Sequence, residues 1–278
     1  MKRRNFLASS AAGASYLAAG MVATNAASNT STTYVNPSNN QSDGSKPEYY
    51  ELRLYHLRFG KENAINGFLR EVWLPAMKRQ GSGPVGVFSV MIGPDSPTLY
   101  ALIPHKSPES IHMTAARLAA DAEYQKAGTS FINIPSTDPA YVRMESSLMV
   151  AFSGMPQMEV PAAAAGNKSR IFELRTYESH NETANKKKIE MFNIGEISIF
   201  RKTGLQPVFF GETLIGPRMP NLTYMLTFEN MAVRDKNWGT FVADPEWKKL
   251  STSPGYGNAE ILTSISSVFL RPTPYSQI

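Results

Sequence analysis

Glutamate, arginine and tyrosine stand on alternate positions twice in this chain, as Glu51, Arg53 and Tyr55 and again as Glu173, Arg175 and Tyr177. A carboxylate beside a guanidinium can hold a polar ligand, and a phenol can donate to it or stack on it. The same residues also have a structural use. Buried charges must be paired, and two Glu with two Arg cancel. His56 follows the first set directly, and a histidine at a strand end beside a cavity can serve as a general base near neutral pH. The other three histidines are His105 after a later strand, His112 on a helix, and His180 in a loop. No two of them share a metal-ligand spacing on one element, so no metal is expected. The absence of cysteine removes thiol nucleophiles, thiolate metal sites and disulfides. Glycine-rich phosphate loops and serine-nucleophile elbows are absent as well.

Alternation places each set on a strand. From Tyr49 to His56, Tyr50, Leu52 and Leu54 form one face, and Glu51, Arg53 and Tyr55 the other. With Leu52 and Leu54 packed under helices, the Glu, Arg and Tyr side chains are expected to point into a space between two sheets. There they would meet their copies from the second set. Gly60 to Gln80 has helical spacing, with Pro75 expected to bend or end it. Residues 85–92, bounded by Gly83-Pro84 and Gly93-Pro94, read as a strand that forms a hairpin with residues 98–103. Pro108 to about Lys126 reads as a second helix capped by Ser107, and Tyr141 to Val150 as a last strand.

That order is β-α-β-β-α-β, the ferredoxin-like arrangement, and the chain contains it twice. Tyr50-Glu51-Leu52-Arg53-Leu54-Tyr55 returns as Phe172-Glu173-Leu174-Arg175-Thr176-Tyr177. Ile92-Gly93-Pro94 returns as Ile215-Gly216-Pro217, and Asp121-Ala122-Glu123-Tyr124 as Asp244-Pro245-Glu246-Trp247. Ser147-Leu148-Met149 is matched to Ser267-Val268-Phe269. The repeats span 48–152 and 169–272, joined by an Ala/Pro/Gly-rich linker at 153–168. One such unit leaves one sheet face bare. Two units packed sheet to sheet as an α/β barrel would cover both faces, so the fold class is α+β.

Residues 1–27 read as a signal peptide. Lys2-Arg3-Arg4-Asn5-Phe6-Leu7 precedes a Gly/Ser-diluted apolar run, which resembles a twin-arginine signal and points to an exported, periplasmic protein. Residues 28–47 have almost no large apolar side chain and read as a disordered tether. The formal charge is +5, and Lys2, Arg3 and Arg4 supply three of those charges. The balance left in the mature chain is too weak to argue for nucleic acid. After signal removal no segment is expected to hold the protein in a membrane.

A unit opened by Glu-Leu-Arg-x-Tyr, with a strand ending Ile-Gly-Pro and a late Asp-x-Glu-Tyr/Trp, resembles the NIPSNAP domain, here in tandem. The resemblance implies membership of the dimeric α/β barrel group, and it supplies a fold rather than a catalytic motif. Some other families of that group carry haem. This chain has no histidine after His180 to serve as an axial ligand in its second half, so no haem and no other cofactor is expected. Two functions stay open. One is a barrel that binds a small apolar or aromatic molecule between its sheets, with or without cofactor-independent catalysis. There Glu51, Arg53, Tyr55, Glu173, Arg175 and Tyr177 are the ligand-binding candidates and His56 the candidate base. The other is a non-catalytic interaction or assembly module, with the Glu/Arg set structural and a homo-oligomer as its form.

Overall fold

A computed structural model describes residues 46–164 and 170–278. The expected signal segment lies outside the described residues, as does most of the expected tether. Strand β1 (Tyr49–Leu57) leads into α1 (Glu62–Phe68), a π-helical turn (Leu69–Trp73) and α2 (Leu74–Arg79). Then come β2 (Gly86–Ile92), β3 (Thr98–His105), α3 (Pro108–Ala120), α4 (Ala122–Ile132) and β4 (Tyr141–Ala151). The second half repeats this as β5 (Ile171–Glu178), α5 (Glu182–Met191), a π turn (Phe192–Glu196) and α6 (Ile197–Lys202). It continues with β6 (Gln206–Ile215), β7 (Asn221–Phe228), α7 (Met231–Ala243), α8 (Pro245–Ser251), a short α9 (Asn258–Ile261) and β8 (Ser264–Pro272).

Local chemistry explains the repeated landmarks. Pro75 neither ends its helix nor causes the π turn. It occupies the first turn of α2, and the second half has the same π turn with Ser198 at the matching position. Both helices end on a glycine at positive φ, Gly81 (φ 73) and Gly204 (φ 84). In each case the glycine N–H and the next N–H bond back to carbonyls of the last turn, a Schellman closure that requires the left-handed glycine. Ser107 caps α3, as expected, and Asn181 and Asn230 cap α5 and α7. The Asp-x-Glu-aromatic landmark is a helix break. Asp121 accepts from the Tyr124 N–H and Asp244 from the Glu246 and Trp247 N–H groups, so each expected single helix is two.

The eight strands form one closed antiparallel barrel in the order β1-β3-β2-β8-β5-β7-β6-β4. Each half contributes four neighbouring strands. The halves join edge to edge along β2–β8, where Phe88 faces Pro272, and along β4–β6, where Val150 faces Glu212. Closure removes the free edges that two separate sheets would carry. Across the lumen, Phe88 packs on Phe172 (ring centroids 4.8 Å apart) and Tyr50 on Phe209 (5.1 Å). The helices cover the outside over two further apolar clusters, one per half.

The barrel corrects two expectations. First, the faces are inverted. Leu52, Leu174 and their even-numbered neighbours Tyr50 and Phe172 point into the lumen, whereas Tyr55 and Tyr177 belong to the clusters beneath the helices. Glu51, Arg53, Glu173 and Arg175 therefore lie on the outer face and do not meet their copies. Second, the last strands align one residue differently. Leu52 is opposite Ser147 and Leu174 is opposite Val268, so Ser146 rather than Ser147 corresponds to Ser267.

Candidate functional site

One end of the lumen is filled by Tyr50, Phe88, Phe172, Phe209 and Leu270. At the other end a cavity of about 470 Å³ opens, within the size range of small-molecule sites. Leu52, Leu54, Met149, Leu174 and Val268 form its apolar wall. His56, Asp95, Tyr100, Glu145, Arg218 and Asn221 bring polar atoms to it, and Thr176, Thr223 and Ser266 add hydroxyls. The strand pleat determines this lining. Leu54 and His56 of β1 lie opposite Glu145 and Arg143 of β4 and opposite Tyr100 and Thr98 of β3.

His56 is buried, with its Nε2 3.0 Å from Glu145 Oε1 and its Nδ1 3.2 Å from Arg143 Nη2. Asp95 Oδ2 lies 3.6 Å from Nδ1. Arg143 donates to Nδ1, so the ring proton is assigned to Nε2, which faces Glu145. The Arg143 Nε–H donates to Glu145 Oε1 at 2.9 Å. That bond, with His56 nearby and against the opposing effect of burial, holds the Glu145 carboxyl below its usual range. Tyr100 shifts the other way. Burial and the Asp95 charge push its phenol up to about 12, so it stays a hydrogen-bond donor. The site thus presents an ionised carboxylate and a phenolic hydrogen-bond donor.

Arg218 enters from the β6–β7 turn. Among the described residues it is the one non-glycine at positive φ (58°). Asn221 holds the turn, its Nδ2–H group donating to the carbonyls of Pro217 (2.9 Å) and Arg218 (3.0 Å). Thr213 Oγ1 in turn donates to Asn221 Oδ1 at 2.6 Å. Arg218 Nη1 lies 3.2 Å from Ser266 Oγ and 3.5 Å from Glu178 Oε1. Among the described residues no group of three His, Asp or Glu side chains is placed to hold a metal ion.

The expected ligand set is placed elsewhere. Arg53 Nε donates to Glu51 Oε1 at 2.9 Å and its Nη1 to Tyr55 at 3.2 Å, with the guanidinium 5.8 Å over Trp73. Ser146 donates to Glu51 at 2.8 Å. In the second half Glu173 receives Arg175 at 2.6 Å, Arg234 at 2.8 Å and 2.9 Å, and the Trp238 indole N–H at 3.0 Å. Each set binds its own strand to its own helices. Of the sequence candidates, the cavity takes in His56 alone. The residues that join it come from turns and from several separate strands. The one sequence signal for them is that Asp95 and Arg218 follow the two matched Gly-Pro pairs with opposite charge.

The NIPSNAP family profile matches residues 50–154 and 172–277. The chain belongs to the NIPSNAP family. No curated protein matches it. Among solved structures, a protein of Lactobacillus acidophilus provisionally assigned as a monooxygenase shares 9% identity, with a TM-score of 0.53 over 82% of this chain and 94% of that one. One from Fusobacterium nucleatum with the same assignment shares 7%, with a TM-score of 0.51 over 82% and 93%. A NIPSNAP-like domain protein of Burkholderia xenovorans shares 20%, with a TM-score of 0.35 over 38% and 88%. In this tandem NIPSNAP chain the Glu-Leu-Arg-x-Tyr strand supplies the scaffold twice over. Its odd positions fasten helices to the barrel, and its even positions line the lumen.

Proposed function

We propose that this NIPSNAP protein is an exported binder of a small aromatic or apolar molecule in the open end of its barrel, with His56 and Glu145 as the acid–base pair of any cofactor-independent reaction there. One observation carries the reading: a cavity of about 470 Å³ with an apolar wall and a charged mouth. An apolar wall excludes water from a ring, and a few convergent polar groups orient it. The His56–Glu145 contact supplies a base at the mouth. Export rests on the Lys2-Arg3-Arg4 motif and the apolar run after it. At 9% and 7% identity the two relatives assigned as monooxygenases attest the fold, and no oxygenation step is carried over from them.

The test is fluorescence titration with naphthalene-sized aromatic probes. Leu54→Trp should fill the cavity and abolish binding, while Arg53→Ala, on the outer face, should leave it intact. Binding that survives Leu54→Trp, or that depends on Arg53, would place the site outside the lumen.

A further inference from the structure

Duplication produced matched positions around the mouth, and the charged ones have diverged. Leu54 and Thr176 are matched, and two residues on, His56 is matched by Glu178. In the strands opposite, Glu145 is matched by Ser266 and Arg143 by Ser264. Tyr100, opposite Leu54, is matched by Thr223, opposite Thr176. In the turns, Asp95 is matched by Arg218. The first half thus gathers His56, Asp95, Arg143 and Glu145, with His56 and Arg143 each within 3.6 Å of both carboxylates. The second half offers Arg218, whose one carboxylate partner among the described residues, Glu178, is 3.5 Å away. A guanidinium has five N–H donors, so this Arg keeps donors for a further acceptor. The Tyr100 phenol lines the same cavity, within electrostatic reach of Asp95, Arg218 and Glu145.

We infer that the cavity, taken as the small-molecule site proposed above, selects a hydroxyaromatic compound or its enol equivalent and holds it as the oxyanion. The ring lies against Leu54, Leu174 and Val268. The ligand O–H bond breaks and its proton passes to Glu145, whose second carboxylate oxygen is engaged by neither His56 nor Arg143, while the electron pair stays on the ligand oxygen. Arg218 and the Tyr100 O–H receive that oxyanion, charge-assisted hydrogen bonds being the stronger kind. The charged groups that face the transfer are His56, Asp95, Arg143 and Glu145 on one side, and Glu178 and Arg218 on the other. The first half therefore handles the proton and the second anchors the charge, a division that an unmodified two-fold site could not make.

The experiment titrates the full chain with 2-naphthol and with its methyl ether, 2-methoxynaphthalene, and follows the naphtholate absorbance. The inference expects the naphthol to bind roughly tenfold or more tighter than the ether. It also expects the ionised form to be visible at a pH where free naphthol is neutral. Arg218→Ala should bring the two affinities together and remove the ionised band, Arg218→Lys should restore part of both, and circular dichroism confirms that each variant is folded. Equal binding of naphthol and ether, with no ionised band, overturns this inference and leaves the barrel-binding reading standing. Binding of neither probe overturns both.

Discussion

Lys188 Nζ lies 2.7 Å from Glu196 Oε2, and both side chains are buried in the second half. Burial lifts the Glu196 carboxyl even against Lys188. The two π turns place Ile65 and Trp73 at the matching positions of the first half, both buried. The same scaffold therefore accepts an ion pair in one copy and an apolar pair in the other. Removing one partner of a buried pair leaves an uncompensated charge and costs about 3–5 kcal/mol, whereas replacing both with apolar residues is often neutral or stabilising. Lys188→Met alone should lower the urea midpoint sharply, and Lys188→Met with Glu196→Leu should recover it. A double variant no more stable than the single one would give the pair a net stabilising role that its burial argues against.

The outer Glu-Arg sets differ in redundancy. Without Arg175, Glu173 still receives two bonds from Arg234 and one from Trp238. Without Arg53, Glu51 keeps Ser146 and a His105 ring nitrogen 3.7 Å away. Arg53→Met should therefore cost about 3–5 kcal/mol and Arg175→Met only about 1–2 kcal/mol. Chemical unfolding of the two variants measures the difference, and neither should change probe affinity in the lumen. Equal losses would mean that Arg234 does not compensate.

Duplication, element order and the barrel are legible in the sequence because strand alternation and turn chemistry are local signals. The face assignment is not. A period of two states that the faces differ, but here both are buried, with Leu52 in the lumen and Tyr55 under helices. Hydrophobicity cannot decide between them. What lets charge sit under a helix is supplied from far along the chain, by Trp73, Arg234 and Trp238. The slip between Ser147 and Ser146 has a similar origin. A serine before two apolar residues is a weak landmark, and the pleat settles it by setting Ser146 against Glu51 and Ser267 against Glu173. The mouth is legible only at His56, since Asp95, Tyr100, Glu145 and Arg218 lie on separate elements that meet when the barrel closes.

Acid should act on the first half through Glu51. Burial alone would raise its carboxyl, but His105, Arg53 and Ser146 outweigh burial and hold it at about 2, against 4.5 when free. A depressed carboxyl contributes stability in full above its unfolded value and loses it as pH falls through the folded value. The loss should therefore run from about pH 4.5 down to about pH 2 and total on the order of 3 kcal/mol. Glu51→Gln should be less stable at neutral pH and show a flatter stability profile below pH 4.5. Parallel profiles for the variant and the parent would assign the acid sensitivity to other carboxylates.

Arg218 is the clearest place to separate stability from function. A left-handed backbone at a non-glycine residue costs about 1–2 kcal/mol, and such strain persists where the surroundings over-determine it. Here the surroundings are Asn221, bonded to the Pro217 and Arg218 carbonyls, and Thr213 behind it. Glycine relieves that cost in the fold, although it adds freedom to the unfolded chain. Arg218→Gly should be more stable than Arg218→Ala by about 1 kcal/mol, since both lose the guanidinium and only alanine keeps the strained conformation. Both should lose binding of anionic probes equally. Asn221→Ala should weaken the same binding with Arg218 still present, because the turn that aims the side chain is released. If Arg218→Gly and Arg218→Ala unfold at the same denaturant concentration, the turn is not strained in solution. If Asn221→Ala binds like the parent, Arg218 does not need its turn to reach the lumen.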